Sequence, residues 1–241
     1  SKMLSSFLRY EFARGDMLTI LGKWDEAESV LSKVLLPAKA DEDSLKYSAC
    51  ASKLGQAYHL NSNFKESRKW LSTGLAKCRK HENHADYLHI LLEILCRMVS
   101  LNIDEGKLDD AEKVLHELKA IIVQLNDPLE LTILHGNFGT LYLQQCKLSE
   151  AYSEFEKMYE LCKKYNNKNK STNALGNMGV IHNIQGNYKK AIDIYESMIK
   201  VLEELGDRKS CASIYGNMAI SHMFLKNYEL AIKNYNIQIA I

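Results

Sequence analysis

Six short strings decide how this chain folds: GKWDEA (22–27), SNFKES (62–67), GKLDDA (106–111), CKLSEA (146–151), GNYKKA (186–191) and KNYELA (226–231). Each runs from a turn former into a small residue. Those small residues, Ala27, Ser67, Ala111, Ala151, Ala191 and Ala231, stand 40, 44, 40, 40 and 40 positions apart. A fixed period of this length marks an array built from one supersecondary unit. Three residues before each small residue comes a large apolar one (Trp24, Phe64, Leu108, Leu148, Tyr188, Tyr228), and four after it another (Leu31, Leu71, Leu115, Phe155, Tyr195, Tyr235). Residues three and four apart share one face of a helix, so each string opens an amphipathic helix whose small residue admits a close neighbour.

Twelve residues upstream of each small residue lies a second small or apolar one: Gly15, Gly55, Val99, Gly139, Gly179 and Ala219. A second helix must cross there. Gly22, Gly106 and Gly186 fall five residues before the alanine, where the chain turns between the paired helices. With Gly136, Gly176 and Gly216 added, ten of the twelve glycines occupy three repeat positions, so each unit reads as helix, tight turn, helix. The pairs Asn126-Asp127, Asn166-Asn167 and Gly206-Asp207 recur at the same period, and Asn or Gly there can take the left-handed conformation that stops a helix. Pro128 then suits the first turn of the next helix.

These residues resemble the tetratricopeptide repeat: Leu54-Gly55 with Tyr58, Gly139 with Tyr142, and the six small residues carry the likeness. The resemblance covers essentially the whole chain. It implies an all-α, right-handed superhelical solenoid of about six helix-turn-helix units, near 8–47, 48–91, 92–131, 132–171, 172–211 and 212–241, in a single array over 1–241 that is a fragment of a longer chain. The family's proline near the end of each unit is missing, and a 40-residue unit exceeds the usual length of about 34. The pattern resembles the 40-residue repeats of kinesin light chains, LGN-type adaptors and bacterial peptide-sensing regulators.

Three departures carry expectations of their own. Arg14 stands where later units have Leu54, Met98, Phe138, Met178 and Met218, which points to a loosely packed first helix. The 44-residue step places four extra residues around KHENHADYL (80–88), as a longer loop or an extended helix. At the other end no polar cap covers the last apolar face, Ile232, Tyr235 and Ile239, which invites self-association.

Composition removes several functional classes. With 31 Lys+Arg against 30 Asp+Glu, interspersed, there is no broad basic surface for a nucleic-acid backbone. No run of about 18 apolar residues and no secretory leader is visible, so neither membrane nor export is expected. The six cysteines are scattered without a CxxC and read as reduced thiols in a cytoplasmic chain. No GxSxG, Walker loop, HExxH or dinucleotide fingerprint occurs, and the Gly-Asn-x-Gly strings lie inside periodic helices rather than after strands. No enzyme activity and no cofactor are expected. The cluster Cys78, His81, His84 and His89 has zinc-type ligands, but on a helix these residues spread around the axis, so no metal site is assigned.

One stripe of polar residues stands out. Asn137, Asn177 and Asn217 recur at 40 residues, two before the small residue of the first helix, and each follows a glycine. Glycine inside a helix costs about 1 kcal/mol relative to alanine, so three Gly-Asn pairs in phase need a compensating reason. The resemblance supplies one: in the 40-residue subclass this helix lines the concave groove, and the matching asparagines hydrogen-bond the backbone of an extended peptide. An amide offers both donors and an acceptor for that task. Lys53 and Arg97 hold the same repeat position in earlier units, and Gln56, Gln144 and Asn183 lie on the same faces. The stripe therefore suggests a partner peptide or protein segment, acidic toward one end and read through its main chain toward the other. A regulatory, peptide-sensing part of a larger signalling protein or enzyme is the alternative reading. A solvated inner surface, or asparagines that satisfy backbone groups between repeats, would explain the same residues without a ligand.

Overall fold

The structure, a computed structural model, describes residues 2–35 and 44–241. The junction of the first two expected units, 36–43, lies outside the described residues, as do the side chains of 1–9 and 44. Among the described residues there are twelve α-helices and no strand. They pair as α1 (Lys2–Ile20) with α2 (Trp24–Leu35), α3 (Ser44–Leu60) with α4 (Phe64–Cys78), and α5 (Tyr87–Asp104) with α6 (Leu108–Leu125). The sequence continues with α7 (Glu130–Gln144) and α8 (Leu148–Lys164), α9 (Lys168–Ile184) and α10 (Tyr188–Leu205), and α11 (Arg208–Phe224) and α12 (Tyr228–Ala240). The fold is thus the all-α helical-repeat solenoid that the six strings imply. The chain forms two compact units, Ser1–Asn126 and Asp127–Ile241, each with three helix pairs.

The turn inside each pair is the same device six times. Its left-handed residue is Gly22 (φ 73°), Ser62 (58°), Gly106 (73°), Cys146 (58°), Gly186 (77°) or Lys226 (63°). The next residue, Lys23, Asn63, Lys107, Lys147, Asn187 or Asn227, donates its N–H five residues back into the first helix at 2.8–2.9 Å. Its carbonyl accepts the N–H of the repeated small residue at 2.9–3.1 Å. One residue therefore closes the first helix in a Schellman bond and opens the second.

The turns between pairs follow the expected pattern. Asn126 (φ 49°), Asn166 (54°) and Gly206 (69°) are left-handed. Asn167 and Asp207 then cap the following helices by accepting from the N–H of Lys170 (3.1 Å) and Ser210 (3.0 Å). Pro128 stands in the turn that enters α7 rather than in the helix, because Asp127 uses its carboxylate on the Leu129 N–H at 2.8 Å and delays the first turn. The four extra residues of the 44-residue step appear as a 3₁₀ turn, Arg79–His81, and an irregular link to Tyr87.

Packing within four of the six pairs shares one joint. A Cβ built on Gly15, Gly55, Gly139 or Gly179 would stand 2.5–2.7 Å from Leu31, Leu71, Phe155 or Tyr195, each sixteen residues further on. All four large side chains are buried, and such burial is worth about 1.5–3 kcal/mol each. The Gly-Asn glycines serve the same purpose one turn away, since Gly136 and Gly176 clear space for Met158 and Met198 at 3.1 and 3.2 Å. Around these joints lie clusters such as Phe155, Met158 and Cys162 with Ala174, Met178 and Ile181, which tie α8 to α9. In the first pair Arg14 is half exposed and pairs with Glu11 at 3.5 Å, while Gly15 still seats Leu31.

Candidate functional site

The polar stripe lies on the first helix of each pair, and its chemistry differs between the two units. In unit 1, Lys53 Nζ is 2.7 Å from Asp16 Oδ1 and 3.6 Å from Glu93 Oε1. Glu93 Oε1 in turn lies 2.5 Å from Arg97 Nη1. No well-directed hydrogen bond closes on that oxygen, so the attraction there is Coulombic. Arg97 also donates to Ser52 Oγ at 2.9 Å and, from Nε and Nη2, to Gln56 Oε1 at 3.2 and 2.8 Å. Lys53, Arg97 and Gln56 are therefore brought together, in a network that supplies its own counter-charges. A carboxylate of a ligand would have to compete with Asp16 and Glu93.

In unit 2 the stripe is neutral. Asn137 Nδ2 donates to the Ile133 carbonyl of its own helix at 2.9 Å. Asn183 joins two repeats: it accepts from Ser221 Oγ at 2.7 Å and reaches the Tyr195 hydroxyl at 3.4 Å. Burial pushes that hydroxyl's pKa far up, so it stays a neutral partner. Gln144 is exposed at the end of α7. Of the eight residues, Asn177 and Asn217 line a recess, which has a volume of about 400 Å³ and is formed by α9, α10 and α11. Its apolar floor is Met198, Leu202 and Ile214, all buried, with Val180 beside them. The buried Thr172 and the more exposed Asn173, Ser210 and Ser213 complete the lining, and Gly176 makes room for the end of Met198.

The sequence pattern did not single out Asn173, Ser213 or the floor. The available signal was the helix period, since Asn173 and Ser213 stand four residues before Asn177 and Asn217, on the same face one turn earlier.

Other ionisable groups serve the scaffold. Burial acts against the Glu154 carboxylate, but hydrogen bonds from Lys157 and His135, both at 2.6 Å, outweigh it and hold its pKa low. His182 sits edge-on to Tyr152 with ring centroids 5.4 Å apart, and burial, with Lys190 nearby, lowers its pKa. The Cys78 thiol, pushed up to about 11 by burial, faces the Tyr87 carbonyl at 4.0 Å, while His84 and His89 are exposed. Among the described residues no three His, Cys, Asp or Glu side chains gather closely enough to hold a metal ion, and no helix is long and apolar enough to cross a membrane.

Residues 129–204, within unit 2, match the tetratricopeptide repeat family model. No curated protein sequence matches the chain. Solved structures match its fold along almost the whole length. The Rap conjugation gene regulator of plasmid pLS20, in complex with the Phr* peptide, is 16% identical with a TM-score of 0.78, over 97% of this chain and 62% of that one. A Rap protein complexed with competence and sporulation factor is 15% identical with a TM-score of 0.75, over 97% and 74%. BtubC (BKLC) from P. vanneervenii is 12% identical with a TM-score of 0.69, over 97% and 91%. At such identities the likeness is one of fold: a tetratricopeptide-repeat solenoid.

Proposed function

We propose that the chain is a protein-interaction scaffold that binds an extended peptide segment of a partner along the polar stripe, in the groove lined by the first helices, and that it has no chemistry of its own. One observation carries this reading. Asn177 and Asn217, one repeat apart, border a single open recess with an apolar floor, so amides that can hold a main chain stand beside space for side chains. The groove-binding role of Lys53, Arg97, Gln56, Gln144, Asn137 and Asn183 is weaker support, since four of them are already engaged with charged or hydroxyl partners and Asn137 with its own backbone.

A random peptide display library panned on the protein tests the reading, with calorimetry on the enriched peptides. The Asn177→Ala/Asn217→Ala variant should keep its circular dichroism spectrum and bind roughly 5- to 150-fold more weakly, from about 0.5–1.5 kcal/mol per lost hydrogen bond. Unchanged affinity would move the binding surface elsewhere.

A second reading, a peptide-sensing regulatory part of a larger protein, is favoured by the two Rap structures that hold a peptide or signalling factor. It requires that an enriched peptide alter the solution scattering profile of the protein, whereas a constitutive scaffold would show no change. Self-association is proposed at α12, where Ile232 and Ile239 are 61% and 82% exposed while their repeat counterparts Ile192 and Ile199 are 9% and 8%. Sedimentation should depend on concentration for the parent and not for Ile232→Asp. Six free thiols suit a reducing, cytoplasmic setting.

A further inference from the structure

We propose that the recess between α9 and α11 selects an uncharged apolar side chain of the bound segment, seated on Met198, Leu202 and Ile214, while Asn177 and Asn217 hold the main chain to either side. This rests on the peptide-binding reading above and adds the chemistry of what is bound.

The inference comes from the lining. None of its eleven residues is ionisable, although a quarter of the chain is Asp, Glu, Lys or Arg. A charged side chain placed there would lose water and gain no counter-charge, which is costly. An aliphatic or methionine side chain would lose only apolar hydration and would cover Met198, Leu202 and Ile214, of which 3–6% is exposed. The volume, about 400 Å³, suits a side chain together with part of the main chain that carries it. Gly176 is part of the device. A Cβ there would press on Met198 Cε at 3.2 Å, so the glycine makes room for the methionine end that forms the middle of the floor. Of the hydroxyl and amide groups at the recess, those of Asn173 and Ser213 are exposed, where a peptide backbone would pass, while the buried Thr172 donates its hydroxyl to the Lys168 and Asn169 carbonyls. The counterpart surface in unit 1 has the opposite character, with Asp16, Lys53, Glu93 and Arg97 satisfying one another. Selection by an apolar anchor is therefore expected in unit 2 alone.

The test uses the full chain and a random peptide display library in which charged and apolar residues are equally represented. Peptides enriched on the parent protein should share one aliphatic, methionine or phenylalanine position with no charged residue beside it, and they should lose affinity for Asn177→Ala/Asn217→Ala. Val180→Lys, which places a cation at the edge of the floor, should bind those peptides at least tenfold more weakly and should itself enrich Asp or Glu at the anchor position. Should Val180→Lys fail to fold, Ser213→Lys puts the charge on the exposed rim and carries the same expectation. Enriched peptides that depend on the two asparagines but keep a charged residue at the anchor overturn the inference and leave the groove reading standing. Peptides indifferent to the asparagines, or no enrichment at all, overturn both.

Discussion

The two units carry the same stripe position and use it in opposite ways. In unit 1 the position holds Lys53 and Arg97, and the residue one turn before Arg97 is Glu93, so an i,i+4 ion pair forms at once and extends to Asp16. In unit 2 the position holds Asn137, Asn177 and Asn217, and the residues one turn earlier are Ile133, Asn173 and Ser213. No ion pair can form there, and the surface around the last two asparagines stays open. A column of residues at one repeat position thus states what chemistry is present. The neighbouring turn decides whether that chemistry is spent inside the chain or left for a partner.

The largest expected effect tests the joints beneath each surface. In unit 2 the socket glycine Gly179 faces the Tyr195 ring, with a Cβ position 2.5 Å from Cε1, and the ring is further held at its hydroxyl by Asn183. In unit 1 Gly55 faces Leu71, with its Cβ position 2.6 Å from Cγ and 3.3 Å from the Ser67 carbonyl oxygen, and the aliphatic side chain has no hydrogen bond to hold it in place. Gly179→Ala should cost about 2–3 kcal/mol by overpacking, well beyond the gain of about 1 kcal/mol in helix propensity, and Gly55→Ala should cost less. Urea melts of the two variants read the difference, and equal costs would mean that both sockets yield alike.

Next in size is the charge network. Removing Glu93 as Glu93→Ala leaves Arg97 without its carboxylate and should cost about 1–2 kcal/mol, less than a fully buried pair because the side chains are 15–36% exposed. Asn177→Ala/Asn217→Ala should change stability by less than about 0.5 kcal/mol. If the asparagine pair proves the more costly, the amides of unit 2 are structural and the contrast between the stripes disappears.

Acidification should separate the units by smaller steps. His182 in unit 2 has a folded pKa below its unfolded value, because burial disfavours the cation and Lys190 adds to this. Its contribution is complete above about pH 6.5 and declines as pH falls through the lower folded value, since the unfolded chain takes up the proton first. In unit 1, burial raises the Glu105 pKa, but Arg68 and Lys107 outweigh it and lower the pKa overall. That contribution is intact above about pH 4.3 and is lost only below it, as pH falls through the depressed folded value. Both tryptophans, Trp24 and Trp70, belong to unit 1. Near pH 6 a destabilised unit 2 should lower the midpoint of a urea melt followed by circular dichroism more than one followed by tryptophan emission, and His182→Gln should remove the difference.

The smallest effect concerns the turns. Ser62, Cys146 and Lys226 adopt the left-handed conformation that Gly22, Gly106 and Gly186 hold at lower cost. Replacing any of the three by glycine should stabilise by about 0.5–1 kcal/mol, and unit 2, with two such turns, should gain twice what unit 1 gains. Thermal melts of Ser62→Gly against Cys146→Gly/Lys226→Gly check this.

Most of the fold was legible because each repeat writes its own boundaries. The small residue at the start of the second helix, the turn five residues before it and the socket twelve before it are all local, and local signals survive in a single sequence. Left-handed turns without glycine, and contacts that depend on two side chains meeting, were not legible. Ser62, Cys146 and Lys226 do not announce a left-handed turn, since no residue type does so but glycine and, more weakly, Asn and Asp. Lys53 and Arg97 looked like free cations because Asp16 and Glu93 lie in other columns of the repeat. The Gly-Asn glycines called for a compensating reason, and at Gly136 and Gly176 a methionine of the same repeat packs where a side chain would stand. The recess was half visible: its amides are periodic, while its floor consists of core residues that look like any other core residues from sequence.

The socket that joins Gly179 to Tyr195 closes sixteen residues downstream, inside its own repeat, and so do those of Gly15, Gly55 and Gly139. A duplication or deletion of one whole 40-residue cassette therefore leaves every socket with its own key, wherever the breakpoints fall in the cycle. A change of any other length between a socket and its key separates the two. The four extra residues of this chain sit between Cys78 and Tyr87, after one lock has closed and before the next begins, where such an addition leaves every pairing in place. A gene built in this way can lengthen or shorten its product by copying, with no compensating change elsewhere in the message.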